Sequence, residues 1–340
     1  MVRVLVVGLG TMGSTHAASF AAMENVQLMG VVDKNAKLVN TLAKKLDTKG
    51  FASFEEAASY LEGQIDVVSV CLPTNQHATY VKKAADIGAD VICEKPLARQ
   101  LGEAREMMDY CKKKGSKLFV GHVVRFFPEY VKAKAVMEEG KVGEVAVART
   151  MRGGPFPRAS ENWYANYDSS GGLILDMIIH DFDFLRWTFG DVERVYAKNL
   201  AGTTGENEAM KDYALVTLRF KSGVIAHVEG SWAHKQFHTS FEFAGKDGVI
   251  SYSSAKEKPV VTERIAEEGE ASGGVSVPES PLAQSPYDRE LHHFMDCIQT
   301  GKEPVVTAED AYKAMEIALA ALQSIEEKRP VSLEAQTIQP

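Results

Sequence analysis

The chain has 340 residues, 45% hydrophobic and 25% charged, an ordinary globular composition and length enough for two domains. Its 38 basic and 46 acidic side chains leave a net charge of −8, which argues against nucleic acid or anionic membrane as a partner. No stretch approaches the roughly 20 apolar residues that span a bilayer. Cys71, Cys93, Cys111 and Cys297 form no CxxC pair, so they read as free thiols of a cytoplasmic protein.

The run Val2–Val7 leads straight into a glycine turn and reads as a first strand rather than a signal peptide. Up to His122, apolar strand candidates alternate with helical patterns. The strands are Val2–Val7, Val26–Val32, Ile65–Leu72, Ala89–Cys93 and Lys117–Gly121. The helices are Ser14–Met23, Ala36–Leu46, Phe54–Leu61, Ala78–Ile87 and Leu101–Lys114. Continuously apolar strands separated by helices predict a parallel sheet covered on both faces, an α/β Rossmann domain over residues 1–122.

After His122 the rhythm changes. A helix is expected over Tyr130–Glu139, a strand over Val142–Met151, a loop over Gly154–Asn166 and one helix from about Leu173 to Phe189. Strand patterns follow at Val192–Leu200, Tyr213–Phe220, Val224–Ser231, Ser240–Ala244 and Gly248–Ser253, with turns at Lys221-Ser222-Gly223 and Lys246-Asp247-Gly248. Glu263–Pro281 reads as a polar surface loop, and helices return at Tyr287–Gln299 and Ala308–Glu327. Residues 123–340 are thus expected to form an α+β domain on an open, mostly antiparallel sheet suited to an oligomer interface.

The chemistry gathers at strand ends. Gly8-Leu9-Gly10-Thr11-Met12-Gly13 follows the first strand, and Asp33 closes the second. Gly8 permits the turn, Gly10 a close approach to pyrophosphate, and Gly13 close helix packing, with Thr11 and Met12 as further cofactor contacts in the loop. A carboxylate at Asp33 accepts from ribose hydroxyls and repels a 2′-phosphate, favouring NAD over NADP; Lys34 beside it softens that bias. Leu72-Pro73-Thr74-Asn75-Gln76-His77 and Glu94-Lys95-Pro96 leave later strands at the same edge, where a cofactor crevice is expected. A Lys95 ammonium there can stabilise charge on a substrate oxygen, and Pro96 raises the prospect of a cis bond. Asp176 and His180, at i and i+4 on an apolar helix, suit a base oriented by a carboxylate. His16 reads as a packing or capping residue. Arg125, Arg152, Arg158, Asn162, Trp163 and His234 are candidates for the substrate side, although Arg152 and Arg158 equally suit solvent-side ion pairs. No HExxH or carboxylate-rich pattern suggests a metal.

Taken together, the glycine motif with Asp33, the Pro73–His77 loop, Glu94-Lys95-Pro96, Gly171-Gly172…Asp176…His180 and the closing Thr300-Gly301-Lys302…Pro304 resemble the Gfo/Idh/MocA oxidoreductase family, over essentially the whole chain. The resemblance implies a dimer or tetramer and a catalytic set of Lys95, Asp176 and His180. The activity it implies is NAD-dependent oxidation of a hydroxyl on a cyclic polyol or sugar, nearest to inositol dehydrogenases. An NAD-dependent glycosidase and a non-catalytic NAD-binding regulator are the alternatives.

Overall fold

The computed structural model describes residues 1–157, 160–200, 213–255 and 284–333; the side chains of 160–162 are not among what it describes. Arg158, the Asn162 side chain and the Glu263–Pro281 loop therefore lie outside the described residues. The chain forms two compact units, Met1–Phe126 with Glu279–Tyr312, and Phe127–Pro278 with Lys313–Pro340.

In the first unit the strands are β1 (Val2–Val7), β2 (Val26–Val32), β3 (Lys49–Phe51), β4 (Val67–Val70), β5 (Asp90–Glu94) and β6 (Leu118–Gly121). They form one sheet in the order β3-β2-β1-β4-β5-β6, parallel at every pairing. This is the doubly wound order, and it reverses between β1 and β4, the switch point beyond which such sheets bind ligands. β3 escapes the sequence reading because three residues carry no periodic signal. The connecting helices are α1 (Thr11–Ala22), α2 (Ala36–Lys45), α3 (Phe54–Tyr60), α4 (His77–Asp86) and α5 (Leu101–Lys114). Asn35 starts α2 by accepting from Lys37 N–H and Leu38 N–H, and Gly115 in the left-handed region ends α5.

The first unit also takes in a distant helix, residues Pro286–Thr300, started by a capping box of Ser285 and Asp288. Its Leu291, Phe294, Met295 and Cys297 are fully buried in one core with Val4, Val6, Phe20, Ile92 and Phe119. A single division after His122 therefore does not describe the path of the chain. The apolar stripe of this helix completes the nucleotide-fold core.

The second unit contains α6 (Pro128–Glu138), α7 (Tyr167–Ser170), α8 (Gly172–Asp176) and α9 (Ile179–Phe189). Its strands are β7 (Val145–Pro155), β8 (Val192–Leu200), β9 (Tyr213–Phe220), β10 (Ile225–Ser231), β11 (Ala233–Gly245), β12 (Gly248–Ser253) and β13 (Val331–Ser332). They pair in the order β12-β11-β7-β10-β9-β8-β13; only β7 and β10 run parallel. Along β9 and β10 the side chains alternate. Ala214, Val216, Leu218, Ala226 and Val228 are fully buried, whereas Leu215 and Ile225 are exposed. One face is therefore core and the other open.

Candidate active site

The glycine loop leaves β1 at the switch point. Gly8 has φ +88°, and a Cβ there would stand 2.5 Å from the Cys71 carbonyl oxygen; one on Gly13 would stand 1.7 Å from the Gly8 oxygen. Gly10, by contrast, faces open space and begins α1 with no capping side chain. The amides of Thr11, Met12 and Gly13 thus open a twelve-residue helix whose N-cap offers them no side-chain acceptor. Asp33 reaches across from the end of β2. One carboxylate oxygen accepts from Leu9 N–H at 2.7 Å and the other from Asn35 N–H at 2.8 Å. Lys34 and Asn75 are exposed beside it in sequence and on the next loop, respectively, while Thr74 and His77 are buried and Leu72 and Pro73 half-buried.

His77, expected at the cofactor, is buried with its ring between two backbone carbonyls. Its Nε2 lies 2.8 Å from the Leu72 carbonyl and its Nδ1 2.9 Å from that of Pro96, so the ring joins the loop after β4 to the loop after β5. Glu94, also expected at the cofactor, turns inward as well. Its Oε2 accepts from Lys95 N–H at 3.1 Å, and its Oε1 stands 3.2 Å from Nε2 of His16. His16 lies on the sheet-facing stripe of α1 with Gly13, Ala17 and Phe20, and its Nδ1 is 2.8 Å from Ser69 Oγ and 3.4 Å from Cys71 Sγ. Lys95 is half-buried and precedes a cis bond to Pro96.

Asp176 and His180 lie in the second unit. They do not share one helix: α8 ends at Asp176 and α9 begins at Ile179. The Leu173 carbonyl accepts from both Met177 N–H at 3.0 Å and Ile178 N–H at 3.1 Å, a widened turn between the two residues. That turn sits hard against the sheet, since a Cβ on Gly230 of β10 would fall 2.6 Å from Ile178 Cγ2. The expectation of one helix from Leu173 to Phe189 is thereby corrected. Nothing in the sequence, which has no Gly or Pro between Leu173 and Phe189, signals the break.

The candidates for substrate contact divide. Arg152 is buried, with Nε 2.6 Å from Asp181 Oδ2 and a second bond to Tyr130 Oη at 3.3 Å. Arg125 is buried too, donating to the Val305 carbonyl at 2.7 Å and pairing with Asp310 at 3.3 Å. Arg152 does not form the solvent-side pair expected of it; both arginines hold distant segments together inside their own unit. Trp163 is half-buried and stacks on Tyr164 with ring centroids 3.9 Å apart. His234 lies within β11, not between strands, and its ring packs over Gly153 of β7.

A family model described as an oxidoreductase family, NAD-binding Rossmann fold, matches residues 2–122, and its companion, the C-terminal alpha/beta domain, matches residues 134–333. The chain belongs to the Gfo/Idh/MocA oxidoreductase family. It is 31% identical to myo-inositol 2-dehydrogenase of Thermotoga maritima over 98% of both chains. It is 28% identical to scyllo-inositol 2-dehydrogenase (NAD(+)) of Bacillus subtilis, covering 98% of this chain and 96% of that one. The crystal structure of a probable dehydrogenase from Thermotoga maritima superposes with a TM-score of 0.83 at 31% identity, over 98% of this chain and 99% of that one.

In this Gfo/Idh/MocA oxidoreductase the residues present fit a dinucleotide. Gly10 leaves open space at the start of α1, and an added Cβ at Gly8 or Gly13 would close the turn. Electrostatics hold the layer beneath. Burial alone would push the His16 pKa down, but the Cys71 sulfur and the Glu94 carboxylate outweigh it and raise it well above the ordinary histidine value. Burial alone would raise the Glu94 carboxyl; the hydrogen bond and charge of His16, and the charge of Lys95, hold it below the usual range. Burial keeps His77 below the ordinary histidine value despite the Leu72 and Pro96 carbonyls. Sequence reading missed the polar role of His16. Its signal was the i, i+3, i+4 stripe with Gly13 and Ala17, which places its ring on the sheet.

Among the described residues no group of three or more His, Cys, Asp or Glu is arranged to hold a metal ion, and no helix is long and apolar enough to cross a membrane.

Proposed function

We propose that this oxidoreductase is an NAD-dependent dehydrogenase that oxidises a secondary hydroxyl of a cyclic polyol or sugar, of inositol type, to a ketone. The observation that carries this reading is the 31% identity, over 98% of both chains, to an enzyme named myo-inositol 2-dehydrogenase. The glycine loop and the lysine-bearing loop at one edge of the Rossmann sheet agree with it.

The chemistry that NAD supplies when bound is acceptance of hydride from a carbinol carbon. Gly8, Gly10, Thr11, Met12 and Gly13 would hold its pyrophosphate, and Asp33, with Lys34 alongside, would take its adenosine ribose hydroxyls. The same carboxylate disfavours the 2′-phosphate of NADP. Leu72, Pro73, Thr74 and Asn75 border the cofactor, and His77 fixes their loop. His180 removes the hydroxyl proton as general base, and Asp176 holds its tautomer and balances the imidazolium that forms. Lys95 donates a hydrogen bond to the same substrate oxygen and stabilises negative charge there. Trp163 and His234 serve the substrate side. The protein works in the cytoplasm as a homodimer or homotetramer joined through the open face of its second sheet.

His180→Ala tests the assignment. The variant is expected to lose about 100-fold or more in kcat, the scale of a lost general base, with NADH affinity within about threefold of wild type. Turnover at the wild-type rate would remove His180 as the base.

A further inference from the structure

Lys95 stands at the end of a strand, on a long flexible stem, and something has to aim it. Its own side chain supplies little preorganisation, because a lysine stem has many rotamers open to it. The residue before it is arranged to supply direction. Glu94 is 7% exposed, and its two carboxylate oxygens have different partners: one accepts the Lys95 backbone N–H, the other faces His16 Nε2. Across the parallel pairing, Gly121 sits opposite Glu94, and a Cβ there would come within 3.1 Å of Glu94 Oε1. The sheet therefore leaves a space fitted to this carboxylate. His16 is in turn fixed by Ser69 Oγ, so the chain of contacts runs from β4 through α1 to the Glu94 carboxylate and the peptide of Lys95.

We propose that Glu94, seated by His16, is the positioning residue that sets the direction of Lys95 in the reaction. This rests on the reading of Lys95 as the group that stabilises the substrate oxygen. The requirement is for two acceptors on one side chain. The Lys95 N–H needs one oxygen, and the His16 Nε2–H needs the other. A glutamine offers only one acceptor, so it must turn its NH₂ toward one of the two donors. Glu94→Gln thus keeps the size of the side chain and breaks one end of the connection. A misplacement of a catalytic group by about 1 Å costs up to about 100-fold in rate, so a loss of tenfold or more in kcat is expected, with little change in cofactor affinity.

The test is a double-mutant cycle on the full-length protein with Glu94→Gln, Lys95→Met and the pair, reading kcat, KM and NADH affinity by fluorescence titration. The expected result is a loss in kcat of about tenfold or more for Glu94→Gln, with KM and NADH affinity within about threefold. Adding Glu94→Gln to Lys95→Met should then cost less than about twofold, because residues acting as a unit are not additive. A kcat for Glu94→Gln within twofold of wild type, beside an inactive Lys95→Met, overturns the positioning role and leaves Lys95 in place. The same loss in both backgrounds also overturns it, since a merely structural defect is indifferent to Lys95. Wild-type turnover by Lys95→Met overturns the reading of Lys95 itself, and this one with it. If Glu94→Gln does not fold, the same cycle with Glu94→Asp decides, because that variant keeps the charge but is too short to reach both donors.

Discussion

Asp33 joins the glycine loop to the start of α2 through single bonds to Leu9 N–H and Asn35 N–H, one from each carboxylate oxygen. Each oxygen retains a second lone pair, which is what a ribose diol requires. Asp33→Ser removes the charge that opposes a 2′-phosphate. The ratio of kcat/KM with NADP to that with NAD is expected to rise tenfold or more; an unchanged ratio would show that Asp33 does not set cofactor choice. Glycine spacing and an acid after the second strand made this corner of the site legible in the sequence. The inward turn of Glu94 and His77 was not, because strand-end position says where the backbone emerges and not which way a side chain points.

At the scale of elements, the buried Arg152–Asp181 pair fixes the start of α9 to β7, one residue beyond His180. Burial opposes the charge on Arg152, but the Asp181 carboxylate outweighs it and raises the arginine further. Removing one partner of a buried pair leaves the other uncompensated. Arg152→Met is accordingly expected to cost about 3–5 kcal/mol in denaturant unfolding, and a loss under about 1 kcal/mol would contradict the burial of the pair. The alternation of β9 and β10 and the glycine turns beside them were readable from pattern. The widened turn between α8 and α9 was not, because it follows from the tight fit of Ile178 on Gly230, a contact that joins residues about fifty positions apart.

The His16–Glu94 pair gives the first unit a pH signature. The His16 pKa is raised in the folded state, so its contribution is complete below the unfolded histidine value of about 6.5 and fades as pH rises through the folded value. The Glu94 carboxyl is held down, so its contribution is present above the unfolded value of about 4.3 and fades as pH falls through the folded one. The stability difference between wild type and His16→Gln should be greatest between about pH 4.5 and 6.5 and shrink toward alkaline pH. A difference independent of pH would mean that His16 acts by packing alone.

For the whole molecule, two halves were anticipated by the change from alternating strands and helices to consecutive strands. The return of Pro286–Thr300 to the first core was not, since an amphipathic helix carries no address for the surface it covers. The open face of the second sheet presents Leu215 and Met151 beside the Arg149–Glu242 ion pair, around a cavity of about 420 Å³, and Ile225 is also exposed. Sedimentation is expected to show a dimer or tetramer that Leu215→Asp dissociates, and a monomeric wild type would remove this face as an interface.

The reaction itself is tested by the absorbance of reduced nicotinamide on the purified protein. NAD and NADP would each be offered against inositol isomers, aldoses and sugar phosphates. Steady NADH formation from a cyclic polyol or sugar is expected, faster with NAD than with NADP. Tight NADH binding with no net reduction across the whole panel would contradict it, and would point instead to internally returned hydride or to a regulatory role.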